Sequence, residues 1–270
     1  MRLARLGMLA TLLALTTLLA MALSIPPLHA QQAQKRVDVA LVLAADVSRS
    51  ITTDEFQLQR QGYAKAIANP DVVRAIQAGT NGAIALTFVE WASSDEQQVV
   101  VDWQIIHDPA SAKAFTDTLL EAPRAFFGRT SISAALDFAM ERLKTSGVKA
   151  ERQVIDVSGD GTNNAGRSLE EARAEALAGG VTINGLAIIN ESANIFGYSG
   201  HTQPPGGLPK WYQENVTGGP GSFLLTVEDF ESFGEAMTKK LLNEIAATRS
   251  PFDLAQRSTS RFSASLDPPR

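Results

Sequence analysis

Long apolar runs alternate along this chain with segments whose apolar residues recur at helical spacing. The apolar runs predict buried strands at 37–45, 82–89, 152–157, 181–189 and 223–227. A further strand at 99–106 follows the second run closely enough to pair with it as a hairpin. The alternation predicts an α/β fold with a doubly wound, mainly parallel central sheet flanked by helices, and one short antiparallel edge strand.

Capping residues and helical periodicity fill the intervals between these strands. Thr52 precedes the acidic pair Asp54 and Glu55, as expected at the start of a helix, and Ser168 is a second predicted N-cap. Helices are predicted at 53–69, 108–120, 130–143, 168–178 and 229–247. The segment 190–209 is rich in glycine, proline and polar residues, and we predict a long insertion there.

The two ends of the chain differ from the regular middle. Arg2 and Arg5 precede an apolar stretch at 6–23, which is followed by two prolines and a small-residue sequence ending at Ala30. We predict a signal peptide at 1–30, a linker at 31–36, one folded domain at 37–248 and a flexible tail at 249–270. The alternative for the first segment is a retained membrane anchor, because its apolar stretch is near the length that spans a bilayer. If the segment is removed, no membrane span is expected in the mature protein.

Composition excludes several classes of function. The chain has no cysteine, which excludes disulfides, thiolate metal sites and a cysteine nucleophile. Its formal net charge is −5, and it lacks the basic clusters that bind nucleic acid.

Oxygen-bearing side chains follow three of the predicted elements where an open parallel sheet gathers its loops. They are Asp46, Ser48 and Ser50 after the first strand, Thr130 before a helix, and Asp160 after the strand at 152–157. Hard oxygen ligands without imidazole or thiolate favour Mg²⁺, with Mn²⁺ or Ca²⁺ as alternatives. Each residue also has a simpler interpretation, because Asp46, Ser48 and Thr130 could cap helices and Asp160-Gly161 could form a turn.

The order Asp-x-Ser-x-Ser, Gly-x-Thr and Asp-Gly resembles the metal-ion-dependent adhesion site of von Willebrand factor type A (vWA) domains, over residues 37–247. The resemblance is to a bacterial, exported branch of that family and implies a periplasmic or secreted protein. It also implies a cation held by all five residues and a protein partner whose acidic side chain completes the coordination. The sequence departs from the family pattern at Ser158-Gly159, where an apolar residue and threonine are usual, and in an asparagine-rich loop.

Five further residues are candidates for contacting a partner beside this site. They are Glu90 and Trp91 at the end of the second strand, Arg129, Asn163 and Asn164. A tryptophan at a strand end is more often a packed lid than a partner contact, and the asparagines could equally supply turn conformations.

Three classes of function compete. The resemblance favours cation-mediated protein binding. A metal-stabilised envelope scaffold or assembly subunit is the second class, and a divalent-metal phosphoesterase is the third. The sequence lacks a nucleophile elbow, a phosphate-binding glycine loop and a His-Glu-x-x-His motif, so we expect a protein that is not an enzyme.

Overall fold

The computed structural model describes residues 34–189 and 204–246. The chain divides into two units at Lys35; only Gln34 of the first unit is described, and all the strands and helices belong to the second. The predicted signal peptide, most of the insertion at 190–209 and the tail at 249–270 lie outside the described residues.

One sheet of six strands forms the centre of the fold, in the order β3-β2-β1-β4-β5-β6. The strands are β1 (Arg36–Asp46), β2 (Ile84–Trp91), β3 (Gln97–Ile106), β4 (Lys149–Gly159), β5 (Thr182–Ile188) and β6 (Leu224–Val227). All neighbouring pairs are parallel except β2 and β3, which form an antiparallel hairpin at one edge. The predicted doubly wound, mainly parallel sheet is therefore confirmed.

Helices cover both faces of this sheet. In the described ranges they are α1 (Thr53–Ile67), α2 (Pro70–Gln77), α3 (Pro109–Glu121), α4 (Ile132–Lys144), α5 (Leu169–Ala178), α6 (Gly207–Asn215) and α7 (Phe233–Ala246). Alternate residues of β1 point to opposite faces, as the pleat requires. Leu41 and Leu43 pack with α1, α2, α3 and α7, whereas Ala40 and Val42 pack with α4, α5 and α6. The sheet thus separates two apolar cores.

Local sequence determines where the helices begin. Thr52 caps α1 through a capping box with Glu55, and Ser168 caps α5, both as predicted. Asp108 caps α3, with Pro109 at its first position. Among the described residues, none of the helices is both long enough and apolar enough to cross a membrane.

Several boundaries differ from those that the sequence predicts. The antiparallel edge strand β3 is not short, because it runs for 10 residues along β2. The predicted insertion includes the start of α6, whose first turn contains Gly207 and Pro209. The last helix begins at Phe233 rather than at 229, since Asp229 and Ser232 form a hydrogen-bonded turn before it.

Candidate metal centre

The centre of the sheet brings the predicted site residues together. β1 lies between β2 and β4, and the chain order reverses direction at this point, so the loops leaving β1 and β4 diverge and open a crevice. Asp46 is the last residue of β1, and Asp160 directly follows β4. The sheet therefore places both carboxylates at the carboxyl ends of its central parallel strands.

The Asp46–Ser50 loop folds back on itself around the Asp46 carboxylate. The backbone N–H of Ser48 donates to Asp46 Oδ1 at 2.7 Å. The Oγ atoms of Ser48 and Ser50 are 3.1 Å apart. This turn directs both hydroxyls toward the same point.

The other two segments reach the same point. Ser50 Oγ donates to Asp160 Oδ1 at 2.8 Å, across 110 positions of sequence. Thr130 Oγ1 lies 3.4 Å from Ser48 Oγ. Asp46, Ser48, Ser50, Thr130 and Asp160 therefore form a single cluster of two carboxylates and three hydroxyls.

The Asp46 carboxylate is buried close to a second carboxylate, and a cation would stabilise its negative charge. Its side chain is fully buried, and within the described ranges its Oδ2 atom accepts no hydrogen bond. Burial raises the pKa of Asp46 well above its usual range, and the negative charge of Asp160 raises it further. A buried carboxylate oxygen of this kind fits a hard divalent cation, so the residues present are suited to hold one.

The cluster differs from sites built on histidine, cysteine or acidic groups alone. No group of three such side chains suited to a metal occurs in the part of the chain that the structure describes. A cation at this edge would have to be held by the mixed set of carboxylate and hydroxyl oxygens.

The simpler interpretation of these residues as helix caps does not hold. Thr52, rather than Asp46 or Ser48, caps α1. Ser131, rather than Thr130, caps α4 through the backbone N–H of Ala134. The carboxylate of Asp46 and the hydroxyls of Ser48 and Thr130 therefore do not cap these helices.

Arg124, which sequence reasoning missed, supports the first loop. Its Nη2 atom donates to the carbonyl oxygens of Val47 and Ser48, at 2.7 and 2.9 Å. The guanidinium also lies over the ring of Phe127, 4.0 Å from its centroid. The residues around Arg124 in the sequence give no signal of this role, because its partners lie 76 and 77 positions away.

Glu90 and Trp91 require correction as candidate partner contacts, because both side chains are fully buried. Glu90 pairs with Arg60, whose Nε donates to Glu90 Oε1 at 2.9 Å, and its Oε2 accepts from the backbone of Ala125. Trp91 packs in the core beside α4. Both residues lie at the end of β2 as predicted, but they support the site from within the fold.

The other three candidates lie at the surface of the site or next to it. Arg129 is exposed, and its Nη2 donates to the carbonyl oxygen of Asn164 at 2.7 Å. Asn164 Oδ1 accepts from the backbone N–H of Thr130, and Asn163 Oδ1 accepts from that of Ser133. The asparagines therefore hold the Thr130 loop in place, while the exposed face of Arg129 stays accessible.

Comparison with known proteins identifies the fold. Proximal thread matrix protein 1 from the mussel byssus is 16% identical with a TM-score of 0.57, and the match covers 79% of this chain and 49% of that one. A structure of the same mussel protein with a zinc-occupied MIDAS (metal-ion-dependent adhesion site) motif is 17% identical, with a TM-score of 0.54 and coverages of 79% and 47%. A von Willebrand factor type A structure from Catenulispora acidiphila is 15% identical, with a TM-score of 0.54 and coverages of 78% and 43%.

These identities establish the fold and nothing finer, and the chain spans about half the length of these three solved structures. A comparison with curated proteins finds no match. The family model described as "Protein of unknown function (DUF1194)" matches residues 36–249. The chain therefore belongs to the DUF1194 family, and its fold is that of a vWA domain.

Proposed function

We propose that this protein binds a protein partner through a divalent cation held by Asp46, Ser48, Ser50, Thr130 and Asp160. One observation carries the proposal: three segments distant in sequence bring two carboxylates and three hydroxyls together where the sheet changes direction. This set supplies oxygen ligands and leaves room in the coordination sphere for a carboxylate from a partner.

Mg²⁺ is the proposed cation, with Mn²⁺ and Ca²⁺ as alternatives. All five side chains offer oxygen, and hard cations prefer oxygen over the nitrogen and sulfur ligands typical of structural zinc sites. The zinc in the MIDAS motif of the mussel protein supports the general idea of a cation at this place in the fold. In the proposed complex the cation supplies a Lewis-acidic position for a carboxylate oxygen.

The rim of the cluster favours an acidic partner. Arg49 and Arg129 are both exposed there, and the backbone of Arg49 bonds to Gly128, next to Arg129. Phe127 is 62% exposed in the same segment. A partner segment with one acidic and one apolar side chain would complement this rim, since the arginines attract the first and Phe127 packs against the second. We place the protein in the periplasm or outside the cell, in line with the predicted signal peptide.

Metal binding is tested directly by isothermal titration of the protein with Mn²⁺ and Mg²⁺. Wild type should bind one ion, and Asp46→Ala should lose binding while keeping its far-UV circular dichroism spectrum. Asp71→Ala is the matched control, because Asp71 is an exposed acid on α2 that pairs with Arg74. Equal affinity in wild type and Asp46→Ala would contradict the proposed site.

Partner binding is tested by capture from an envelope extract of the source cell. The three baits are wild type with Mg²⁺, wild type with chelator, and Asp46→Ala with Mg²⁺. A protein retained by the first bait alone supports cation-mediated binding and identifies the partner. Identical capture by all three would contradict it.

The competing classes predict different results in the same experiments. A scaffold stabilised by metal would show a loss of thermal stability in Asp46→Ala with unchanged capture. We propose a role other than catalysis. His107 could act as a general base, but it follows β3 at the end of the sheet opposite to Asp46. Metal-dependent hydrolysis of a phosphate ester by wild type, absent in Asp46→Ala, would instead support the phosphoesterase alternative.

A further inference from the structure

We propose that the Tyr212 hydroxyl positions the Asp46 carboxylate for cation binding, so that α6 forms part of the support of the metal centre. The inference rests on the proposed function and assigns to it a residue more than 50 positions beyond Asp160 in the sequence. Tyr212 is a positioning residue here, since it acts through Asp46.

Two buried polar atoms without hydrogen bonds face the same small space. Within residues 34–189 and 204–246, neither the Tyr212 hydroxyl nor Asp46 Oδ2 has a hydrogen-bond partner. A Cβ atom added to Gly159 would lie 2.6 Å from the hydroxyl and 3.0 Å from Oδ2. The two atoms do not bond each other in this structure, but their closeness to one point leaves a separation that one water or a small movement of the tyrosine can bridge.

Gly159 makes this approach possible. It ends β4, and any side chain there would meet both Asp46 and the tyrosine hydroxyl. Glycine weakens a strand, and here it leaves the space into which both groups extend. Gly185 in β5 instead makes room for Leu224 and Thr217, whose side chains would lie 2.8 and 3.0 Å from an added Cβ.

The second buried tyrosine of the fold, Tyr63, differs from Tyr212 because its hydroxyl has a hydrogen-bond partner. Tyr63 is equally buried on the other face of the sheet, and its hydroxyl lies 2.7 Å from Ser158 Oγ. Ser158 and Gly159 are adjacent in sequence, and each lies beside a different tyrosine. The Tyr63 hydroxyl is satisfied by its neighbour, whereas that of Tyr212 points toward the cluster.

The chemistry of the hydroxyl suits this role. A tyrosine hydroxyl is a hydrogen-bond donor, and a carboxylate oxygen is an acceptor. Asp46 Oδ1 is already held by the backbone of Ser48. A donor near Oδ2 fixes the remaining rotation of the carboxylate, and groups that orient metal ligands in this way typically change affinity about 10- to 100-fold.

The test is the Mn²⁺ affinity of Tyr212→Phe, which keeps the ring and removes only the hydroxyl. We expect binding to weaken by about tenfold. Because the hydroxyl has no hydrogen-bond partner among the described residues, its removal should leave the thermal midpoint of the chelator-treated variant equal to or above that of wild type. Tyr63→Phe is the matched control: it should lower the thermal midpoint, because Ser158 loses its partner, and leave Mn²⁺ affinity within about twofold of wild type.

A second variant keeps the inference testable if the first is poorly folded. Gly159→Ala places a methyl group between the hydroxyl and Oδ2, and it should weaken Mn²⁺ binding at least as much. Wild-type affinity in Tyr212→Phe or Gly159→Ala would overturn the role of Tyr212 and leave the proposed function standing. A wild-type protein that binds no Mn²⁺ would overturn both.

Discussion

At the residue scale, two arginines organise the interior beside the candidate metal centre. Arg60 pairs with Glu90 and also donates to the backbone carbonyl of Ala122 at 3.2 Å. Arg124 holds the Asp46–Ser50 loop from the same side. Both are positioned between the end of β2 and the segment that leads to Thr130. The loops of the site are therefore fixed by one buried charge pair and by arginine-to-carbonyl hydrogen bonds, as well as by apolar packing.

Removing Glu90 should be costly for folding. In Glu90→Ala the Arg60 guanidinium remains buried without its carboxylate, and breaking a buried pair in this way costs about 3–5 kcal/mol. Denaturation by urea measures the free energy of unfolding. The control, Asp71→Ala, breaks the exposed pair with Arg74 and should cost less than about 1 kcal/mol. A loss in Glu90→Ala as small as in the control would contradict the structural role.

The five clustered residues could be predicted from sequence because each follows or precedes a predictable element. Asp46 and Asp160 come directly after apolar runs, and parallel strands deliver such residues to one edge. Arg124 and Tyr212 could not be found in this way, because their roles depend on contacts between distant segments. The burial of Trp91 was likewise hidden, since a tryptophan at a strand end can face either the core or the solvent.

At the element scale, a buried charge cluster attaches α7 to the sheet. Lys240 is fully buried, and its Nζ lies 2.9 Å from Asp156 Oδ1 of β4 and 2.9 Å from Glu244 Oε1, one turn away. Asn184 of β5 donates to the same Glu244 oxygen at 3.0 Å. The helix thus reaches two central strands through a single lysine shared by two carboxylates.

The charge cluster makes stability depend on pH. Burial raises the pKa of Asp156 to about 7, and the charge of Glu244 adds to this while Lys240 opposes it. Between its ordinary pKa and 7, the folded protein holds a proton that the unfolded chain has released. Raising the pH through this range should therefore lower the free energy of unfolding, by at most about 1.4 kcal/mol per pH unit. Urea unfolding at pH 5, 6, 7 and 8 measures this slope.

Asp156→Asn is the comparison for that experiment, because it keeps the shape and removes the titrating group. Its free energy of unfolding should be less sensitive to pH between 5 and 7. Burial lowers the pKa of Lys240, but Asp156 and Glu244 outweigh it and raise that pKa above its ordinary value, so Lys240 adds no slope in this range. Parallel pH curves for wild type and Asp156→Asn would show that Asp156 is already ionised at pH 5.

Helix α7 also shows the limit of periodicity as a predictor. The apolar stripe of Phe233, Met237 and Leu241 predicts the helix and the face that it buries. It does not predict that Lys240 is buried too, since lysine is almost always exposed unless it is paired. Helix α6 was missed for a different reason: Gly206, Gly207 and Pro209 indicate a loop, yet they form the start of the helix.

At the scale of the whole molecule, the candidate centre joins three segments that lie far apart in the chain. The alternation of elements predicted the layers and the parallel sheet. It could not predict the strand order, because periodicity shows which face a strand buries and not which strand lies beside it. That order is what brings Asp160 to Asp46.

A bound cation should therefore stabilise the entire fold. A ligand that binds only the folded state at 100 times its dissociation constant adds about 2.7 kcal/mol to the free energy of unfolding. We expect Mg²⁺ to raise the thermal midpoint of wild type in a concentration-dependent way and to leave Asp46→Ala unchanged. Differential scanning calorimetry in magnesium and in chelator measures the shift. An equal rise in both proteins would indicate non-specific ion effects.

The spacing of Lys240 and Glu244 has a mechanical consequence for the last helix. One turn of helix advances about 5.4 Å. A slide of α7 by one turn in one direction would set Glu244 against Asp156, carboxylate against carboxylate; in the other it would set Ala236 there and strand the Asp156 charge. When Asp156 is ionised, its charge therefore opposes an axial shift of the helix in both directions.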